Sequence, residues 1–107
     1  MTFSTRTIWK FPLNGNSEQL LSMPAGARIL TVQMQIPANA LLLNAPPLVA
    51  VAAKPVLWVE LDPRAPLSDR MIYCVMTGTE LPAKPVVYIN TVQNNGVVSH
   101  FYEGRIQ

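Results

Sequence analysis

The alternation of apolar and polar side chains over residues 28–36 most constrains the fold. An extended chain would place four apolar residues on one side and three polar residues on the other: Leu30, Val32, Met34 and Ile36 against Thr31, Gln33 and Gln35. A two-residue period is typical of a β-strand with one buried and one wetter face. Pro24 and Gly26 indicate a turn before it, and Pro37 follows it. We therefore predict a central strand over Arg28–Ile36.

Short runs of β-branched and aromatic residues, bounded by proline, glycine or asparagine, recur along the chain. They predict strands at Thr5–Phe11, Gln19–Met23, Val56–Leu61, Met71–Thr77, Val86–Gln93 and Val97–Glu103. Asn94-Asn95-Gly96 predicts the turn of a hairpin, and Arg64–Arg70 reads as a polar connection. Met71–Thr77 is apolar on both sides, which favours an interior strand. About seven short strands without a helical period predict an all-β fold, a small antiparallel β-sandwich or barrel.

One segment does not fit this pattern. A chain of 107 residues has the size of one domain, so we predict a single domain over residues 1–107. Within it, Ala38–Pro55 is apolar but is interrupted by Pro46 and Pro47. A short helix over residues 38–43 and a strand over residues 48–52 both stay open. A long apolar loop in water is costly, so we expect this segment to pack on something.

The balance of apolar and charged residues predicts contact with other molecules. Half of the residues are hydrophobic and 13% are charged, against a typical ~25% charged. Few polar side chains remain to cover the surface, which favours a homo-oligomer or a partner protein. The predicted oligomer interface is the apolar part of the proline-rich segment: Leu41, Leu42, Leu43, Leu48, Val49 and Val51. The net charge of +2 comes from scattered basic residues, so nucleic-acid binding is not indicated.

The sequence favours a soluble intracellular protein. A single cysteine, Cys74, forms no internal disulfide and suits a reducing compartment. The first residues contain no apolar signal-peptide core. The most apolar window, residues 40–53, is shorter than the ~20 residues of a membrane-spanning helix and contains two prolines. We expect no contact with a membrane.

No catalytic constellation is evident. A general base needs a nucleophile or an orienting carboxylate nearby, but Ser99 and Glu103 lie at odd spacing from His100 and would face the other side of its strand. Cys74 lies in an apolar strand, where a buried, inert thiol is the expected state. One cysteine and one histidine do not make a zinc site with the usual four ligands. We expect no catalytic residue, metal or cofactor, and a protein that is not an enzyme.

Five residues are the predicted binding contacts. Trp58 would share a strand face with Glu60, and a face that mixes these types is often half exposed. Asp62, Arg64 and Arg70 surround one loop, where the arginines would grip the phosphate or carboxylate of a small polar ligand. The alternative is a solvated loop in which aspartates cap turns.

Several blocks of the sequence resemble a family of small uncharacterised proteins encoded by bacteriophages and prophages. They are residues 8–11, 23–35, 57–63, 77–82, 88–93 and 100–103. Residues 38–55 correspond to a short turn in that family, so this apolar segment looks like an insertion. The resemblance implies a phage origin and a β-rich domain, and no catalytic residue. We therefore expect a phage accessory protein in the host cytoplasm that binds a host or phage protein through a β surface, as an inhibitor of host defence would. The alternative is a virion component, in the head decoration or the tail.

Overall fold

The computed structural model describes residues 4–36, 53–94 and 96–105, and these residues form an all-β protein. The seven strands are β1 (Thr7–Pro12), β2 (Glu18–Pro24), β3 (Arg28–Gln35), β4 (Lys54–Leu61), β5 (Leu67–Met76), β6 (Val86–Asn94) and β7 (Val97–Gly104). They make two antiparallel sheets: sheet A in the order β1-β4-β3, and sheet B in the order β2-β5-β7-β6. The predicted all-β fold is confirmed.

The core lies between the two sheets. Strand β4 supplies Leu57, Val59 and Leu61, which are fully buried; on its other side Trp58 and Glu60 are half-buried and Val56 is 4% exposed. The other buried members of the core cluster are Leu13, Met23, Ala27, Val32, Ile72, Val92 and Phe101. Removing this apolar area from water is the main stabilising contribution, about 25 cal/mol for each Å².

The prediction that residues 28–36 form the central strand is wrong in its placement. Strand β3 lies at the edge of sheet A, and β4 is the strand with a neighbour on each side. A bulge between Ile29 and Thr31 leaves Leu30 without a paired residue on β4. The bulge breaks the predicted alternation, because Val32 is fully buried whereas Leu30 is 38% exposed.

Strand β5 begins earlier than predicted. Residues 67–70, expected in a polar connection, pair with residues 21–24 of β2. Backbone pairing with β2 and the burial of one face are enough to hold this polar stretch in a strand. As predicted, β5 is an interior strand, between β2 and β7.

The side chain of Asn90 joins the two sheets. Its Nδ2 donates to the carbonyl oxygen of Val32 at 2.7 Å, and its Oδ1 accepts from the amide of Val32 at 2.8 Å. A second bulge, between Tyr88 and Asn90, alters the register of β6 just before this contact. The side chain of Asn90 thus makes with Val32 the two hydrogen bonds that a paired strand would otherwise make with this residue of β3.

The connection between β5 and β6, residues 77–85, crosses the outer face of sheet B. Both strands are antiparallel to β7, which lies between them, so they run parallel to each other. Met76 ends β5 opposite Ser99, whereas Val86 begins β6 opposite Gly104. The connection must therefore return along the length of the sheet, and the inner side is filled by the core.

The proline-rich segment lies mostly outside the described residues. Its last two positions, Lys54 and Pro55, are described and belong to β4, so this strand starts before the predicted Val56. The predicted oligomer contacts at Leu41, Leu42, Leu43, Leu48, Val49 and Val51 all fall outside the described residues.

Candidate functional site

The outer face of sheet A combines a tryptophan with several cations. Trp58 lies opposite Lys10 of β1 and Thr31 of β3. The ammonium nitrogen of Lys10 stands 5.9 Å from the centre of the Trp58 ring and donates to Gln35 Oε1 at 3.3 Å. Trp58 is half-buried. The lysine therefore reaches across β4 above the ring, in a cation–π contact.

More of the basic residues lie on this face than the sequence indicates. Arg28 lies opposite Glu60, and Lys54 lies opposite Gln35. Both are exposed, and neither forms an ion pair with another described residue. We define the sheet A face by its exposed and half-buried side chains: Arg6, Ile8, Lys10, Arg28, Lys54, Trp58 and Glu60. It carries four of the eight basic residues of the chain and one carboxylate.

Glu60 is held by the arginine that precedes β1. Arg6 Nε donates to Glu60 Oε2 at 3.0 Å. Its Nη2 donates to the backbone carbonyl oxygens of Glu60 at 3.1 Å and of Gly26 at 3.4 Å. Both side chains are about one-third exposed, so the pair adds little to stability. The ion pair neutralises Glu60, the one carboxylate of the sheet A face. The net positive charge of the face therefore comes from Lys10, Arg28 and Lys54.

Asp62 and Arg64 build the turn after β4. Asp62 Oδ1 accepts from the amide of Arg64 at 3.0 Å, and its carbonyl accepts from the amide of Ala65 at 3.1 Å. The hydrogen bond from the Arg64 amide is the main cause that lowers the pKa of Asp62. The geometry is that of an aspartate-capped turn, the alternative considered for this loop. A ligand role for either residue stays a prediction.

Arg70 lies on β5 of sheet B, whereas Trp58 and Glu60 lie on β4 of sheet A. It forms an ion pair with Glu103, and its Nη1 donates to the carbonyl oxygen of Ala27 at 2.9 Å. The two side chains are about five-sixths buried. These contacts engage the guanidinium of Arg70, and a ligand role for this residue stays a prediction.

His100 belongs to a chain of hydroxyl groups on the outer face of sheet B. Its Nε2 lies 2.8 Å from Thr77 Oγ1 and its Nδ1 lies 2.8 Å from Thr91 Oγ1. The Thr91 hydroxyl is in turn 2.7 Å from the hydroxyl of Tyr88. Both ring nitrogens of His100 therefore have a hydroxyl partner, and the direction of each hydrogen bond depends on the tautomer of the ring. Glu103 points to the other side of β7, as predicted.

Three tyrosines form a row on that same face. Tyr73, Tyr102 and Tyr88 lie directly opposite one another across β5, β7 and β6. The rings of Tyr88 and Tyr102 meet edge to face, with their centres 5.4 Å apart. Tyr88 is 54% exposed, whereas Tyr73 is 8% exposed. The burial of Tyr73 follows from its position in a cleft beside the β5–β6 connection.

Within residues 4–36, 53–94 and 96–105, no three histidine, cysteine or acidic side chains come together as a metal site would need. Cys74 is partly buried and packs against the core cluster. In the same ranges, the structure contains no helix with the length and apolar character needed to cross a membrane.

Fold and surface together define a small domain of two packed antiparallel sheets with a basic, tryptophan-containing outer face. The family model described as Domain of unknown function (DUF7352) matches residues 4–107, and the chain belongs to that family. Comparisons with curated proteins and with solved structures found no significant match.

Proposed function

We propose that this protein is a phage-encoded accessory binding protein that contacts an acidic partner protein through the sheet A face. The observation that carries the proposal is the placement of Lys10, Arg28 and Lys54 on the same face of sheet A as the half-buried ring of Trp58, with Lys10 over the ring. The resemblance to phage and prophage proteins supports the assignment to a phage. The partner is a host or a phage protein, and a protein of a host defence system is one such partner.

The apolar part of the face supports a protein partner. Ile8, two residues before Lys10 on β1, is 57% exposed. Tryptophan and arginine are enriched among the residues that dominate binding energy, and such residues lie at the centre of an apolar patch with a polar rim. The sheet A face has both components, with Lys10 over the ring and with Arg28 and Lys54 further along the same face.

The position of Lys10 argues against stacking of nucleic-acid bases. Binding of single strands combines a basic groove with aromatic faces on which bases stack. Here Lys10 lies over the ring of Trp58 and is tied to Gln35. A carboxylate of a partner protein needs only the exposed ammonium and guanidinium groups, which attract it and steer its approach.

Site-specific photo-crosslinking in the host cell tests the proposal. A photoreactive residue replaces Gln33, which is exposed on the outer side of sheet A opposite Val56. The matched control replaces Ser22, which is exposed on strand β2 of sheet B opposite Asp69. We expect one protein to be captured from position 33 and not from position 22, and to bind again when both proteins are purified.

The outcomes separate the alternatives. A crosslink between two copies of this chain would assign the face to self-association and overturn the proposed partner. Capture from position 22 alone, or equal capture from both positions, would also contradict it. Nucleic acid crosslinked at position 33 would make the protein a nucleic-acid-binding protein and would overturn the proposed protein partner.

A further inference from the structure

Strand β1 forms an open edge of sheet A. It has β4 on one side and no described strand on the other. Ile8, opposite Glu60 on the outer side of the sheet, is 57% exposed. Trp9, opposite the buried Val59, faces the core side and is still 41% exposed. β3 packs closely against β6, whereas no described strand of sheet B lies comparably close to β1. This edge therefore presents apolar surface on both sides of the sheet.

The hydrogen-bond pattern shows which backbone groups of β1 are free. The amide of Leu13 donates to the carbonyl oxygen of Pro55 at 3.0 Å, which continues the register of β1 with β4. Along an antiparallel strand, successive residues direct their N–H and C=O groups alternately to one side and to the other. Every second residue counted back from Leu13, including Trp9, therefore bonds to β4. Ile8 and Lys10 direct both of their backbone groups away from the sheet.

The other sheet edges are less suited to pairing. β3 and β6 each contain a bulge, and Asn90 already bonds the amide and the carbonyl of Val32. Bulges and covered backbone groups are means by which proteins keep an edge from pairing. β2 is regular, but its core-side residues Leu21 and Met23 pack in the core, so its edge is apolar on one side only. β1 combines a regular register with apolar surface on both sides.

We propose that β1 pairs with β1 of a second copy of this chain, antiparallel about a two-fold axis that passes between the two Trp9 residues. Ile8 then lies opposite Lys10 of the second copy, and the free N–H and C=O groups of these two residues bond to each other. The two Trp9 side chains meet on the core side in a non-hydrogen-bonded pair, where cross-strand side chains come closest. The two copies of sheet A become one six-stranded sheet.

Side-chain orientation and charge select this register. An axis between two residues would set a core-side residue opposite an outer-face residue, so the axis must pass through one residue. An axis at Ile8 sets Arg6 opposite Lys10, and an axis at Lys10 sets lysine opposite lysine; like charges in these positions are unfavourable. Larger shifts shorten the paired segment. The axis at Trp9 instead lets Ile8 pack on the aliphatic stem of Lys10.

This pairing is independent of the partner proposed for the sheet A face. Gln33 lies on β3, at the far edge of sheet A from β1. In the six-stranded sheet, the β3 strands of the two copies are separated by five strand spacings, about 24 Å. Pairing through β1 therefore gives no crosslink between copies from position 33, and the two proposals can fail separately.

Light scattering and sedimentation equilibrium of the purified chain test the proposal. We expect a mass of twice the 11.8 kDa of one chain. Ile8→Lys sets a lysine opposite Lys10 at both symmetric positions and should raise the dissociation constant of the dimer about tenfold or more. The double variant Ile8→Lys/Lys10→Glu sets opposite charges at both positions and should restore the dimer. The matched control is Leu20→Lys on β2, also 57% exposed, which should leave the mass unchanged.

The double variant also distinguishes the registers. With the axis at Ile8 the two introduced lysines would face each other, and with the axis at Lys10 the two introduced glutamates would, so neither register restores the dimer. Circular dichroism and urea unfolding check that each variant keeps the β fold. A monomeric parent chain, a dimer that folded Ile8→Lys leaves intact, a double variant that stays monomeric, or dissociation by Leu20→Lys would overturn the proposal.

Discussion

Replacement of Asn90 by alanine should loosen the junction between the sheets. The variant removes the donor that serves the Val32 carbonyl oxygen at 2.7 Å and the acceptor that serves its amide at 2.8 Å. Val32 is fully buried, so water does not readily replace these partners. The carbonyl keeps only a 3.4 Å contact with the hydroxyl of Thr31. The amide keeps no partner among the described residues.

The expected loss of stability follows from these two bonds. A buried group that loses its partner costs about 1–3 kcal/mol, and the amide bears this cost in full while the carbonyl bears part of it. We therefore expect Asn90→Ala to lower the free energy of unfolding by about 2–4 kcal/mol. The control is Gln93→Ala on the same strand, where the amide side chain is exposed and the effect should stay within about 0.5 kcal/mol.

Urea unfolding, monitored by tryptophan fluorescence, gives the free energies of unfolding, and amide hydrogen exchange shows which part of the structure is destabilised. The amide of Val32 should exchange faster in Asn90→Ala, because it is the group left without an acceptor. Amides in the middle of β4, which keep both strand neighbours, should change only as much as the global stability does. A loss no larger than that of Gln93→Ala, or unchanged protection at Val32, would refute the role of Asn90.

Three other substitutions probe separate contacts. A Cβ added by Gly104→Ala would lie 3.2 Å from the ring of Tyr73, so we expect a loss of about 1 kcal/mol in urea unfolding, and a gain would contradict this. Because the pKa of Asp62 is lowered in the folded protein, its ionised carboxylate stabilises the fold above the unfolded pKa of about 3.9, and this stabilisation is lost as the pH falls through the folded pKa. Asp62→Asn should therefore make the free energy of unfolding fall less steeply with decreasing pH in the acid range. The same acid dependence in variant and parent would refute this role of Asp62. Arg70→Met leaves Glu103 largely buried without its partner and should cost about 2–4 kcal/mol at pH 7, whereas a loss under about 1 kcal/mol would mean that the pair is effectively solvated.

Local patterns were sufficient to predict the strands. The runs around residues 56–61 and 97–103 alternate or are continuously apolar, and each became a strand within a few residues of its predicted bounds. The hairpin between β6 and β7 follows from its asparagine-glycine turn, which sets Gln93 opposite Val98. These features depend on neighbouring residues, so they can be read from one sequence.

Bulges and sheet order could not be predicted in this way. The extra residue at Leu30 has no distinctive side chain, and its place depends on the pairing of β3 with β4. The junction at Asn90 likewise depends on β6 meeting β3 across the two sheets. A bulge changes which face each later residue occupies, so one error in register changes the predicted surface.

The candidate site shows the same division. Trp58 and Glu60 were correctly placed on one face, because they are two residues apart on a strand. Lys10, Arg28 and Lys54 are far apart in sequence, but cross-strand pairing places them on one face of sheet A. Arg70 was grouped with the loop because of its position in sequence, whereas the strand pairing directs it towards Glu103.

The most direct test of contact through the sheet A face is the dissociation constant of the purified partner for three variants. We predict that Trp58→Ala weakens binding about 30-fold, the factor that corresponds to a 2 kcal/mol interface contact. Arg28→Glu, at an exposed position, should weaken it at low salt and less so at high salt, while Lys84→Gln, on the β5–β6 connection, should leave it unchanged. Unchanged affinity for both Trp58→Ala and Arg28→Glu would contradict the proposed mode of binding.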